Sequence, residues 1–277
     1  MVVLCRSASR SAIATRAAKR LINDLIQTLA AILPEFWQWV YLLLVVSAAG
    51  FVRGLSGFGF SALCFFALSP ILPPMAIVPL MFLLEASASL HIMPKVWSYV
   101  PWRWLLVLSI GAMLGTPFGV YGVALWQPDL VRGIAGLGVL LAGIVLLRGW
   151  RFDAADSKLM LFIVGTVAGF VNGMASIGGL VIAVYALSSP ISLLSMRAAL
   201  VVFFLIIDIY GLFWFGGHGF LNTQTFILGA MVLPIMLLGN RIGFAYFDRI
   251  EETTRRYISI SLLMLLACLA LADTLVF

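Results

Sequence analysis

Gly50-Phe51-Val52-Arg53-Gly54-Leu55-Ser56-Gly57-Phe58-Gly59-Phe60 sits inside a long apolar stretch and carries one charge and four glycines. Each glycine costs a helix about 1 kcal/mol against alanine, so such a run reads as a place where a helix breaks. The pattern returns later in the chain. Gly50, Phe51, Val52, Gly54 and Gly59 recur as Gly169, Phe170, Val171, Gly173 and Gly178, 119 residues on. Gly111-Ala112-Met113 recurs as Gly229-Ala230-Met231, and Pro117 and Gly122 as Pro234 and Gly239, at offsets of 118 and 117. A nearly constant offset predicts an internal duplication, with halves at 36–150 and 157–277 joined by the polar linker Arg151–Lys158.

Composition sets the solvent. Of 277 residues 63% are hydrophobic and 10% charged, and the mean hydropathy is +1.13. A soluble domain carries about 25% charged residues, so this chain reads as an all-α polytopic membrane protein. Continuous rather than alternating apolar runs exclude a membrane β-barrel. Cys5, Cys64 and Cys268 are too few and too scattered for a disulfide scaffold. The net charge of +6 is concentrated in Arg6, Arg10, Arg16, Lys19 and Arg20. It therefore gives no basis for nucleic-acid binding and favours a cytoplasmic N-terminus. Residues 1–35 read as a basic arm, with 11–33 as an interfacial helix on anionic lipids or, alternatively, a disordered leader or over-long start.

Uncharged stretches mark the spans: Phe36–Val52, Gly54–Leu84, Trp104–Pro128, Gly133–Leu147, Leu159–Met196, Ile209–Asn240 and Tyr257–Ala272. The 38 residues of Leu159–Met196 would make a helix of about 57 Å, against a hydrocarbon core of about 30 Å. The stretch must break, with Gly173, Gly178, Gly179 and Pro190 as candidates. Gly54–Leu84 is expected to break at Gly57 and Gly59 and again at Pro70, Pro73 and Pro74. Loops with Lys95 and Arg103, and with Arg148 to Lys158, favour an even number of crossings per half and about eight main spans. Two discontinuous segments in corresponding places point to a transporter site.

The first run, followed by Pro70 and Pro73-Pro74, resembles the first signature of the sulfite exporter TauE/SafE family of membrane transporters. Gly169-Phe170-Val171-Asn172-Gly173 with Ile177-Gly178-Gly179 resembles its second, and Ser195-Met196-Arg197-Ala198 also matches. The family often carries proline where this chain has Leu180. The resemblance covers about residues 36–277. It implies secondary transport of small sulfur-containing anions or organic acids, including sulfite and sulfonates.

The residues themselves suggest how. Broken helices expose backbone N–H groups that can face an anion, and glycine lets it approach. Gly54, Gly57, Gly59, Gly173, Gly178 and Gly179, with Ser56 and Ser176, are candidate substrate ligands; close helix packing is the other use of such glycines. Arg53 and Asn172 occupy equivalent repeat positions. Arg53 can offer a bidentate fork to sulfite or sulfonate, or snorkel to an interface. Arg197 has the same two readings. Glu85 and Asp208 are intramembrane carboxylates, candidates for proton coupling or structural ion pairs. They are not equivalent by the offset, since Glu85 maps onto Phe204 or Leu205. His91 and His218 lie near helix ends. No catalytic residue, metal or cofactor is expected. The expected partners are a small anion and membrane lipids, with a homodimer left open. Competing readings are an intramembrane enzyme and a non-transporting membrane subunit. The predicted location is the cytoplasmic (inner) membrane of a prokaryote.

Overall fold

The computed structural model describes residues 35–147, 157–187 and 191–247, with isolated positions 251, 254, 261 and 265. The chain falls into two units, Met1–Tyr41 and Leu42–Phe277. In the first, the described residues 35–41 form the start of a helix, where the Trp37 indole donates to the Glu35 carboxylate. The basic arm, most of the linker, Pro190 and most of the apolar stretch Tyr257–Ala272 lie outside the described residues.

Every regular element among the described residues is helical. In chain order these are α1 (Phe36–Ser56), α2 (Phe60–Leu68), α3 (Pro74–Val96), α4 (Trp102–Leu125) and α5 (Pro128–Leu147). They continue as α6 (Lys158–Ala175), α7 (Gly178–Leu187), α8 (Leu193–Gly217) and α9 (Thr223–Phe247). Six of them, α1, α3, α4, α6, α8 and α9, are long and apolar enough to cross a membrane. Phe118, Leu125, Leu159 and Phe213 are exposed on the outside, as lipid-facing side chains are.

The two long apolar stretches do break. In the first, Gly57 and Gly59 adopt φ of +87° and +89°, a left-handed backbone that only glycine enters cheaply. The second break uses no glycine in that role. Ser176, at φ +58°, ends α6, and its N–H bonds to the Asn172 carbonyl at 2.7 Å. The break therefore falls at Ser176-Ile177 rather than at Gly173, which stays inside α6, while Gly178 and Gly179 open α7.

Contacts fix the helix directions. Gly50 and Gly54 of α1 meet Met236 and Asn240 of α9, so these two run parallel. Gly165, Gly169 and Gly173 of α6 meet Leu108, Ala112 and Thr116 of α4, again parallel. Along α3 and α8, Phe82 lies against Gly211 and Phe215, whereas Lys95 and Arg197 share the Phe244 ring, so these two run antiparallel. The order long helix, break, short helix and two long helices thus occurs twice. Each helix of the second set runs opposite to its counterpart, instead of along it as the even crossing count favoured by the loops requires. Each short helix turns back beside its long one: Gly178 packs on Ala168 and Asn172, and the carbonyl after α2, at Ser69, reaches Arg132 at the start of α5. The fold is two hairpins, α1–α2 and α6–α7, entering from opposite faces around a central α3–α8 pair.

Glycine makes the crossings possible. At Gly50 an added Cβ would lie 2.7 Å from the Met236 carbonyl oxygen, and at Gly115 it would strike the Thr166 carbonyl. Such backbone-to-backbone approach is the usual glue of membrane helices. Gly115→Ile is expected to lower the melting temperature of detergent-purified protein by about 5–10 °C, the scale of a strongly overpacked core. Gly138→Ala, which meets open space inside α5, should not lower it and is expected to raise it slightly.

Candidate functional site

The last turn of α1 carries Arg53 into the interior, level with the middle of α3. Its Nη1 donates to Glu85 Oε1 at 2.7 Å and its Nη2 to Ser89 Oγ at 2.7 Å, with a longer contact of 3.5 Å to the Glu85 carbonyl. The guanidinium lies 5.0 Å from the centre of the Phe204 ring on α8. Arg53 and Glu85 are 2% and 1% exposed. A buried pair of this kind is costly to desolvate and costlier to split.

The second hairpin builds a counterpart without a cation. Asn172 Nδ2 donates to Asp208 Oδ1 at 2.9 Å, and its Oδ1 accepts the Gly178 N–H at 3.2 Å. Asn172 and Asp208 are fully buried. Asn172 stands 119 residues after Arg53, and Asp208 stands 119 after Ser89. Arg53–Ser89 and Asn172–Asp208 are therefore equivalent contacts, and Phe204, where Glu85 maps, completes the set beneath Arg53.

Between the two breaks lies a small space. Gly59 and Ser61 line it from the first hairpin, Ser176 and Gly179 from the second, with Glu85 and Phe204 across from them. Its free space is about 10 Å³, the size of one water molecule. The first turns of α2 and α7 both border it, so two helix N-termini converge there. Ser176 Oγ and Asp208 Oδ2 are buried without a hydrogen-bond partner among the described residues. Ser61 and Glu85 Oε2 face each other without a well-directed hydrogen bond. Asp208 lies within electrostatic reach of both Glu85 and Arg53. Counted with all three ionised, that group carries one net negative charge.

The other sequence candidates separate. Gly57 and Gly59 form the first break and Gly178 and Gly179 the start of α7, where Gly179 leaves room for the Phe204 ring. Gly54 and Gly173 lie at helix crossings, against the Asn240 and Thr116 backbones. Arg197 donates to the Gly54 carbonyl and lies 4.3 Å over the Phe244 ring, on the face where α3 ends. The Ser56 side chain lies outside what is described. His218 is at the opposite face, where its Nε2 meets the Tyr121 hydroxyl at 2.6 Å and its ring stacks on Trp214. The sequence reading missed Ser61, Ser89 and Phe204. The last two were reachable, because the repeat offset maps Asp208 onto Ser89 and Glu85 onto Phe204.

Fold and site together define a polytopic helical membrane protein whose two discontinuous hairpins meet at a buried polar centre. A family model described as Sulfite exporter TauE/SafE matches residues 42–270, and the chain belongs to that family of membrane transporters. No curated protein and no solved structure matches it.

Arg53→Ala strands Glu85 and should cost about 3–5 kcal/mol of stability, read by denaturant unfolding in detergent. The double variant Arg53→Ala/Glu85→Ala should cost clearly less than the two single losses added together. Strict additivity would show that the pair is not coupled.

Proposed function

We propose that this protein is a secondary transporter that carries a small anion (sulfite, a sulfonate or a related organic acid) through the space between its two hairpin tips. The observation that carries the reading is the convergence of two broken-helix N-termini and the Ser176 hydroxyl, unpartnered among the described residues, on one small space lined by buried residues. Gly59 and Gly179, which line that space, let backbone N–H groups in the first turns of α2 and α7 face the anion, with Ser61 and Ser176 adding hydroxyl contacts. The space holds about one water molecule, so the substrate enters only when the hairpins part. Opposed helix directions in the two halves support an inverted duplication, whose halves can rock so that each hairpin opens toward its own face.

Arg53 acts through Glu85 rather than as an open fork. An anion approaching that negatively charged group is repelled unless a proton arrives with it, which makes Glu85 and Asp208 the coupling residues. The histidines lie at opposite ends of the bundle, far from the serines, which favours a carrier over an enzyme. We place the protein in the cytoplasmic membrane of a prokaryote. Lys95, Arg103, Lys158 and Arg241 share one face, which the positive-inside rule assigns to the cytoplasm. The basic arm argues for the opposite orientation, because α1 from Leu42 onward descends from the other face. Arg16, Lys19 and Arg20 stand about 16–20 residues before Phe36, at the outer limit of the range in which the rule is strong, and Arg6 and Arg10 stand beyond it.

In proteoliposomes, sulfite or taurine should accumulate faster under an inward proton gradient. Ser176→Val should cut the rate about tenfold or more, as expected when a ligand of the substrate is lost. Asp208→Asn should abolish the effect of the gradient while leaving downhill exchange measurable. No flux with sulfite, sulfonates or small carboxylates would refute the reading.

A further inference from the structure

A second polar basin lies on the face where α3 and α9 end, apart from the central site. It is a cavity of about 30 Å³ whose lining includes His91, Lys95, Asn240, Arg241 and Phe244. His91, Lys95 and Arg241 are exposed around it, while Asn240 is 2% exposed and its carboxamide oxygen has no partner among the described residues. Among the described residues no acidic side chain lines the cavity, and neither Lys95 nor Arg241 makes an ion pair.

Basic residues that merely anchor a helix at an interface splay outward toward headgroups and water. Here they converge on a concave surface with a buried amide. The basin also connects inward. The Lys95 ammonium lies 5.6 Å from the centre of the Phe244 ring and the Arg197 guanidinium 4.3 Å from it. Arg197 donates to the Gly54 carbonyl, and its Cγ fills the space beside Gly57, where an added Cβ would come within 2.9 Å. Lys95 and Arg197 therefore link the basin to the first helix break.

We propose that this basin is a second anion site, one that takes an oxyanion headgroup of the sulfonate or phosphate type. Lys95 and Arg241 supply charge, a His91 ring N–H and the Asn240 Nδ2 donate hydrogen bonds, and Arg197 hands the anion toward the break. The hand-over rests on the transport reading above; the binding does not. Two sources offer that chemistry, a free anion from water or an anionic lipid headgroup, and the continuity with Arg197 favours the free anion.

The chain has three lysines, Lys19, Lys95 and Lys158, so amine acetylation read by mass spectrometry gives a local report. Full-length protein in lipid-free detergent would be treated with an acetylating ester at fixed ionic strength, with methanesulfonate exchanged for gluconate. Methanesulfonate should slow acetylation of Lys95 at least threefold and leave Lys158 unchanged. Arg241→Gln should raise the concentration needed for that protection about five- to tenfold, the scale of one lost charged contact. A parallel arm adds phosphatidylglycerol without methanesulfonate. Protection there alone would overturn the free-anion assignment, and protection in neither arm, or equal slowing at Lys158, would overturn the site. Lost flux with the Lys95 footprint intact would count against the transport reading instead, and intact flux without the footprint against this one.

Discussion

A backbone that breaks inside a bilayer must have its polar groups satisfied by protein, because the hydrocarbon offers none. That constraint organises the structure. The end of α1 places the Gly54 carbonyl under the Arg197 guanidinium and returns the Gly57 N–H to the Arg53 carbonyl at 2.7 Å. The end of α6 is closed by the Ser176 N–H on Asn172, whose side chain also takes the Gly178 N–H. These residues do two jobs. Arg53 and Asn172 lie in the last turns before the breaks and also hold the two buried carboxylates. The shape of the hairpin tips and the charge at the centre are therefore one arrangement.

The two halves share geometry but not charge. Equivalent positions hold arginine and asparagine on the hairpins, and serine and aspartate on the central helices. In the first half the cation is answered by Glu85, one helical turn before Ser89; in the second, Asp208 is held by a neutral amide and keeps an unpartnered oxygen. An inverted scaffold with unequal charges treats its two faces alike in shape and differently in electrostatics.

Much of the fold could be read from residues because the bilayer leaves few alternatives: the apolar stretches Gly54–Leu84 and Leu159–Met196 are too long to cross unbroken, and in the first Gly57 and Gly59 marked where. The second break was left open among Gly173, Gly178 and Gly179 and falls between them, at Ser176-Ile177, because glycine at a helix crossing and glycine at a turn look alike in one sequence and a serine in the left-handed region has no sequence signature. The opposed directions of the halves were hidden for another reason. Counting crossings required knowing that each broken segment returns to the face it came from, and that depends on long-range contacts such as Ser69 with Arg132. At the site, Arg53 was legible as a buried cation and Asn172 as its equivalent. The pairing of Arg53 with Glu85 was foreseen only as an alternative, because the sequence does not show which charge finds which. The family match over residues 42–270 agrees with the signature residues on both hairpins.

The most direct test is to locate the substrate. Crystals or vitrified particles of the protein prepared with 2-bromoethanesulfonate, a sulfonate whose bromine can be placed by anomalous scattering or density, would show where the anion sits. A sulfonate held between the hairpin tips, within hydrogen-bond distance of Ser176 and the α2 or α7 N-terminus, is the result predicted here. A sulfonate bound with the hairpin tips still closed on one another, or found only outside the α3–α8 pair, would contradict it.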